Sequence, residues 1–157
     1  MNSTTTWTAQ VNASPDAVFA LLSDIDRHAE WSPYDFRSEK KSGGAVGVGT
    51  VYETHGWLPG QGKDFENEVT ITAYDQGKRF AFDAKDPRGP VIPSDFVLTA
   101  DGGGTKVERT MTMPKPDGFQ GFMWPVIFPM LVKPAIQKNL NKFKEKVEAD
   151  RGRLHTP

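Results

Sequence analysis

The sequence contains no cysteine, and its only histidines are His28, His55 and His155. Without cysteine there can be no disulfide, no thiolate metal site and no cysteine nucleophile. No two of the histidines have the spacing of a metal-ligand pair, and structural zinc sites are usually built from clusters of cysteine and histidine. We therefore expect the protein to need neither a metal ion nor another cofactor.

The sequence also lacks an excess of basic residues. It has 19 lysines and arginines against 20 aspartates and glutamates, which gives a net charge of −1. Proteins that bind nucleic acids usually carry a clear excess of basic residues on one face. We therefore expect no nucleic-acid partner.

Long hydrophobic runs are missing as well. The most apolar stretch, residues 122–132, is interrupted by Pro125 and Pro129, and it is shorter than the ~20 apolar residues that cross a bilayer. Residues 1–7 lack the basic and apolar segments of a secretory signal. The expectation is a soluble cytoplasmic protein, a monomer or homodimer, with no stable insertion into a membrane.

The sequence lacks the signature of a serine nucleophile, and its one glycine-rich stretch does not lie where a phosphate-binding loop would. No serine stands in the Gly-x-Ser-x-Gly pattern of a nucleophile elbow. The glycine-rich residues 43–49 lie between two predicted strands and are not followed by Gly-Lys-Ser or Gly-Lys-Thr. A glycine-rich hairpin is therefore a better interpretation than a phosphate-binding loop.

The chain begins with the pattern of a strand and two short helices. Residues 5–11 are rich in β-branched and aromatic side chains. Ser14 is suited to the N-cap of a helix, and Pro15 to its first position. Apolar residues then follow at the spacing of one helical face: Val18, Leu21, Leu22 and Ile25. A second short helix is predicted to end near Trp31.

Residues 34–113 have the pattern of strands joined by short turns rich in glycine, proline and aspartate. We predict six strands here, at residues 34–41, 48–57, 65–74, 78–85, 94–101 and 105–113. Turns this short join antiparallel neighbours, because a parallel pair needs a longer crossover. Together with residues 5–11, they predict a seven-stranded antiparallel sheet.

The last segment has a helical pattern. Its apolar residues are spaced by three or four positions: Val132, Ile136, Leu140, Phe143 and Val147. Pro125, Pro129 and Pro134 interrupt the first half, so we expect the helix to be kinked there or to begin late. It is long enough to cover one face of the sheet. The predicted organisation is one α+β domain, residues 1–150, with a frayed tail at residues 151–157.

Four motifs resemble those of a known superfamily in their order and spacing. They are NASPDAVF at residues 12–19, DIDRHAEWSP at 24–33, GVGTVY at 47–52 and GTKV at 104–107. Together with the C-terminal helix they resemble the START-like SRPBCC superfamily, and within it the polyketide cyclase/dehydrase-like branch. The resemblance implies the helix-grip fold of birch-pollen-allergen-like proteins. In that fold a curved seven-stranded sheet, with two short helices after its first strand, wraps around a long C-terminal helix and leaves a cavity.

The resemblance leaves three functions open, because one fold hosts many activities. The first is a soluble protein that holds a small hydrophobic ligand, of lipid, polyketide or aromatic type, in the cavity. The second is an enzyme of the polyketide cyclase/dehydratase type. The third is a protein-interaction module, either co-chaperone-like or regulatory.

Candidate ligand-binding residues are mainly aromatic side chains and methionines of the proposed sheet and helix, since ligand cavities are mostly apolar with a few polar groups. They are Trp31, Tyr52, His55, Trp57, Phe82, Phe96, Arg109, Met111, Met113, Phe122, Trp124 and Phe128. Trp31 resembles a family position near the mouth of the cavity. Core packing is the alternative explanation for most of this set.

Arg109 is the most informative polar candidate. It has the same strand parity as Val107, Met111 and Met113, so it faces inwards if those three side chains do. A buried charge needs a partner, and candidate structural partners are Glu53, Glu68 and Asp83. Arg109 is alternatively an anchor for an acidic or carbonyl group of the ligand, or it lies at the rim of the sheet.

For an enzyme, the candidate catalytic residues are Arg109, His55, Tyr52 and Glu53, which can position a carbonyl group or transfer a proton. Tyr52 is on the opposite parity from Glu53 and His55, so the two sets face opposite sides of the sheet. The sequence does not decide which side is the inner one.

An apolar cluster near the start of the last helix has three interpretations. Its members are Phe119, Phe122, Met123, Trp124, Phe128 and Met130. They form either a kinked helix start packed on the sheet or a mobile gate of the cavity, since methionine adapts to varied ligands. The third interpretation is an exposed patch for a partner or a membrane surface.

Overall fold

The computed structural model describes residues 3–31, 36–58, 62–85 and 91–154. Within these residues seven strands form one antiparallel sheet with the order β1-β7-β6-β5-β4-β3-β2. The strands are β1 (Ser3–Val11), β2 (Phe36–Lys40), β3 (Val51–Leu58), β4 (Gly62–Asp75), β5 (Arg79–Lys85), β6 (Val91–Asp101) and β7 (Gly104–Met113). The predicted seven-stranded antiparallel sheet is confirmed, and β4 begins earlier than predicted.

Two short helices connect β1 to β2, as predicted. The first is α1 (Pro15–Leu22), and the second is a 3₁₀ helix (Ile25–Glu30). The Ser14 hydroxyl caps α1 by accepting the backbone N–H of Ala17 at 3.2 Å. Hydroxyl groups are preferred at this position because they satisfy a backbone donor that has no partner inside the helix.

The inner face of the sheet and one face of the C-terminal helix form the hydrophobic core. The helix contributes Leu140, Phe143 and Val147, which are all buried. The sheet contributes large side chains at alternate positions, among them Trp7, Val11, Ile71, Phe80, Phe96 and Val107. The predicted apolar stripe is therefore confirmed for Leu140, Phe143 and Val147, where the helix covers the sheet.

The prolines do not delay the start of the last helix. It runs as α2 (Gly118–Ile127), a π-helical segment (Phe128–Val132) and α3 (Lys133–Leu154). We call these three parts together the C-terminal helix. The expected irregularity takes the form of the π-helical segment, and the alternative of a late start is wrong. Each proline removes an intrahelical hydrogen bond, and π-helical turns occur where that ladder is disturbed.

The helix also extends past residue 150. Arg151 donates a hydrogen bond from Nη1 to the side-chain oxygen of Asn12 at 2.8 Å. The Asn12 backbone N–H in turn donates to Glu148 at 3.0 Å. Residues 151–154, which were predicted to fray, are thus helical, and Arg151 is attached to Asn12 in the turn before α1. Residues 155–157 lie outside the described part of the chain.

Candidate functional site

Arg109 faces the interior, as its parity predicts. It lies on β7 between Val107 and Met111, and only 9% of its surface is exposed. Its Nε donates to the Ser94 hydroxyl at 3.3 Å. Its guanidinium carbon lies 5.0 Å from the centre of the Phe96 ring, within the range of a cation–π contact.

Asn139 on α3 is the second polar partner of Arg109. Its Oδ1 accepts a hydrogen bond from Arg109 Nη1 at 2.7 Å. Its Nδ2 donates to the backbone oxygen of Trp31 at 3.0 Å. Asn139 therefore ties the sheet, the helix and the chain after the 3₁₀ helix together around the guanidinium.

The charge of Arg109 has no acidic partner in the described part of the chain. Glu53, Glu68 and Asp83 were the candidate partners, and none of them forms an ion pair with it there. Burial lowers the pKa of Arg109 to about 10, so the group stays charged at neutral pH. A guanidinium has five N–H donors, and the described residues accept two of them. Within the described chain, the site thus holds a buried cation with spare donors.

Trp31 contributes another donor to the same region. It is buried, and its ring meets Phe143 edge-on with the centres 5.0 Å apart. Its indole Nε1 is buried and has no hydrogen-bond partner within the residues described. Leaving a buried donor unsatisfied costs about 1–3 kcal/mol, a cost that a ligand oxygen would remove.

His28 also lies beside this network. Its ring centre is 4.7 Å from that of Trp31, and its Nε2 is 2.8 Å from the Leu22 carbonyl oxygen. A carbonyl only accepts, so Nε2 carries the proton and Nδ1 is left as an acceptor. Burial, and to a smaller extent the charge of Arg109, lowers the pKa of His28 to about 4. The imidazole is therefore neutral at neutral pH.

The catalytic candidates on β3 are divided between the two faces. Tyr52 and Thr54 are buried on the inner face, and burial raises the pKa of Tyr52. Glu53 and His55 lie on the opposite face, where His55 Nε2 is 2.7 Å from Glu53 Oε1. This hydrogen bond lowers the pKa of Glu53. Glu53 and His55 therefore do not join the interior polar groups.

Burial on the inner face decreases towards one end. On β7 the side chains change from fully buried at Val107 to half-buried at Met113. On the C-terminal helix the same change runs from Leu140 to Ile136. We call the half-buried apolar side chains Met111, Met113 and Ile136 the half-buried wall, and Met111 is two positions after Arg109 on β7.

The remaining ligand-binding candidates are placed as follows. Phe96 is fully buried, and the half-buried Phe82 stacks on it with ring centres 6.4 Å apart. Met111, Trp124 and Phe128 are half-buried, as is Met113. Phe122 is 78% exposed, so it does not face the interior. Trp57 lies on β3, and its side chain is outside the described part of the structure.

Sequence reasoning missed three members of this site: Ser94, Asn139 and His28. Asn139 had a usable signal, because it follows Ile136 by three positions and precedes Phe143 by four, which places a polar residue on the apolar stripe. Ser94 on β6 lies directly across from Met111 on β7. No pattern in the sequence marked His28.

A separate cleft of about 350 Å³ lies on the outside of the molecule, between α1, α3 and the β6–β7 turn. Its lining includes Leu21, Gly103 and Val147. Its Arg27 is engaged by both Glu30 and Asp150. This cleft does not include the Arg109 network.

The sequence matches the family model described as "Polyketide cyclase / dehydrase and lipid transport" over residues 3–148. The chain belongs to this family. The resemblance seen in the sequence motifs is thereby confirmed, and the family and its fold support a role in binding hydrophobic ligands or in cyclisation. No curated protein is similar enough in sequence to count as a match.

Solved structures show the same helix-grip fold. TTHA0849 from Thermus thermophilus has a TM-score of 0.72 and 18% identity, over 94% of this chain and 99% of that one. The Zhui aromatase/cyclase from Streptomyces sp. R1128 has a TM-score of 0.71 and 16% identity, over 94% of each chain. Ara h 8.0201 has a TM-score of 0.69 and 18% identity, over 95% of this chain and 99% of that one. At such identities the likeness establishes the family's fold and nothing finer.

Proposed function

We propose that this protein binds a small hydrophobic ligand that carries an anionic or carbonyl group. The apolar part of the ligand lies against the half-buried wall, and its polar group binds the Arg109 guanidinium. The observation that supports this is the burial of Arg109 with neutral hydrogen-bond partners. A buried charge without a counterion is costly, and an acidic ligand group would remove that cost.

The chemistry of the site favours an acceptor on the ligand. Arg109 offers N–H donors, and the Trp31 indole offers a further one that has no partner within the described residues. Asn139 holds both residues in place through its two ends. A carboxylate, an enolate or a polarised carbonyl fits this set, whereas a cationic or purely apolar ligand does not.

A cyclase or dehydratase is the second candidate. The observation that favours it is the convergence of Arg109, Ser94 and Asn139, next to the neutral imidazole of His28, on the inner side of the sheet. Arg109 would stabilise the negative charge that develops on a carbonyl oxygen, and His28 Nδ1 would accept a proton. A carrier releases its ligand unchanged, so mass spectrometry of the ligand before and after incubation distinguishes the two.

A pair of fluorescent probes tests the proposal. Anilinonaphthalene sulfonate and the uncharged N-phenylnaphthylamine share an aromatic framework and differ in the anionic group. We expect the wild-type protein to prefer the anionic probe, and Arg109→Met to weaken its binding about 10- to 100-fold, as expected for a hydrogen bond to a charged group. Binding of the uncharged probe should change little. Titration of both probes into both proteins measures this.

Arg79→Met is the matched control. Arg79 lies on β5, is 53% exposed and pairs with Asp95 on the outer surface. Its loss should leave both probe affinities unchanged. If Arg109→Met also left them unchanged, or if it weakened both probes equally, the anchor role of Arg109 would be refuted.

The stability of the same variant separates a ligand role from a structural one. Arg109→Met removes a buried charge that has no counterion among the described residues, which favours the fold. It also leaves Asn139 Oδ1 without its donor, which costs about 1–3 kcal/mol. Because the two effects oppose each other, we expect the variant to be no more than about 3 kcal/mol less stable than the wild-type protein without ligand. A larger loss would show that the arginine is kept for the fold, and chemical unfolding without ligand measures it.

A further inference from the structure

A stripe of apolar side chains faces solvent at the start of the C-terminal helix. Phe119 is 77% exposed, Phe122 78%, Val126 48% and Met130 68%. Their spacing of three, four and four positions places them on one side of the helix. We call these four residues the outer stripe. A contiguous exposed apolar patch of this kind usually marks a site of interaction.

The π-helical segment explains why the outer stripe faces outwards. Phe122 precedes Leu140 by 18 residues, which is five turns of a regular helix at ~3.6 residues per turn. A regular helix would therefore place both on the buried side. The π-helical segment Phe128–Val132 lies between them and widens the turn by about one residue. It thereby rotates α2, and Phe122 turns outwards.

The opposite side of α2 is less exposed than the outer stripe. Met123, Trp124 and Ile127 are half-buried, and Phe128, in the π-helical segment, packs against the core. Gly121 is buried beneath the backbone of Pro116, just before the helix, and a Cβ atom at Gly121 would lie 2.0 Å from the Pro116 oxygen. The outer stripe is thus the most exposed side of this helix.

Two exposed lysines bracket the outer stripe. Lys115 lies just before α2, and Lys133 lies just after the π-helical segment. The only carboxylate between them in the sequence is that of Asp117. The immediate flanks of the stripe therefore carry a small positive excess in a chain whose net charge is −1.

The C-terminal helix is long and apolar enough to meet a simple criterion for a membrane span, at residues 118–151. Its second half, however, buries Leu140 and Phe143 against the sheet and carries lysines on its other faces. The exposed apolar part begins with α2 at Gly118 and ends before Lys133, so it is 15 residues long. That length suits a helix lying along a bilayer surface and not one crossing it.

We propose that the outer stripe docks on the surface of an anionic lipid bilayer. The phenylalanines enter the boundary between headgroups and acyl chains, and the flanking lysines bind the anionic headgroups. A second copy of this chain fits less well, because a two-fold interface brings the same patch from each copy together and would place the two lysine sets side by side. The proposal is independent of the ligand bound inside.

Vesicle binding tests the docking. The probes are vesicles of phosphatidylcholine alone and of phosphatidylcholine with about 30% phosphatidylglycerol, whose negative surface attracts basic segments. We expect sedimentation with the anionic vesicles at low salt, weaker sedimentation at high salt, and little with the neutral ones. Equal binding to both, or no binding to either, would overturn the proposal.

The variant F119S/F122S removes the largest side chains of the outer stripe. We expect it to lower the partition onto anionic vesicles about tenfold or more, and K133Q to lower it about fivefold. The matched control is V48S/V97S, at two exposed valines outside the stripe, which should bind as the wild-type protein does. If the control and F119S/F122S lost binding equally, the stripe would not be the docking surface.

Because the chain has no cysteine, a single cysteine gives a site-specific reading. An environment-sensitive dye at Val126→Cys should brighten and shift to the blue on anionic vesicles, whereas the same dye at Val97→Cys should not change. Light scattering of the protein without lipid completes the test. A dimer that forms without lipid and is abolished by F119S/F122S would assign the stripe to a second copy and overturn lipid docking.

Discussion

Replacing Phe143 by alanine is expected to lower the free energy of unfolding by about 3–5 kcal/mol. Phe143 is fully buried where the C-terminal helix covers the sheet, and its ring contacts Trp31 edge-on. Truncation removes buried apolar surface and leaves a cavity that neighbouring side chains fill only in part. Because domains of this size are stable by only about 5–15 kcal/mol, the midpoint of a urea transition should fall markedly.

Phe119→Ala is the matched control on the same helix. Phe119 is 77% exposed, so its truncation should change the free energy of unfolding by no more than about 0.5 kcal/mol. Alanine is also the better helix former. A loss comparable to that of Phe143→Ala would mean that the outer stripe is packed against the protein and is not available for docking.

The sheet was predictable because its turns are local. Short turns rich in glycine and aspartate leave only antiparallel pairing between neighbours. The cap at Ser14 and the stripe of Leu140, Phe143 and Val147 are equally local signals, since each depends on residues within two turns of a helix. These features, together with the motif order, predicted the helix-grip fold that the structure has.

The direction of Phe122 was not predictable by the same means. In a regular helix the spacing between Phe122 and Leu140 would place Phe122 on the buried stripe. The sequence does not show which turn of the helix will be π-helical. Prolines indicate that the hydrogen-bond ladder is disturbed, but whether the helix kinks, starts late or widens depends on which side chains find a place on the sheet. In the structure Phe128, the first residue of the π-helical segment, packs against the core.

The polar site was half predictable. Alternation on β7 predicted that Arg109 shares a face with Val107, and the structure buries both side chains. On β3 the alternation did not determine which parity faces inwards. The structure buries Tyr52 on the inner face, so Glu53 and His55, which have the other parity, lie on the outer face. The hydrogen bonds of Asn139 join residues that are far apart in the sequence, to Arg109 and to Trp31, so no local pattern could reveal them.

His28 should make the protein less stable in mild acid. Burial lowers its pKa from 6.5 to about 4 in the folded protein. Between these two values the unfolded chain binds a proton that the folded protein does not, so stability falls as the pH falls from about 6.5 to about 4. At about 1.4 kcal/mol for each pKa unit, the loss is about 3 kcal/mol. Chemical unfolding at a series of pH values measures it.

The variant His28→Gln isolates this contribution, because glutamine does not titrate and retains an N–H donor for the Leu22 carbonyl. Its stability should depend less on pH than that of the wild-type protein between about pH 6.5 and pH 4.5. Glu30, whose pKa is lowered to about 2 chiefly by its hydrogen bond with Arg27, destabilises both proteins at lower pH and cancels in the difference. If the stabilities of the two proteins changed with pH in parallel, His28 would have the same pKa in the folded and unfolded states. It would then be protonated in the folded protein at about pH 4.5, and the interior beside Arg109 would tolerate a second positive charge.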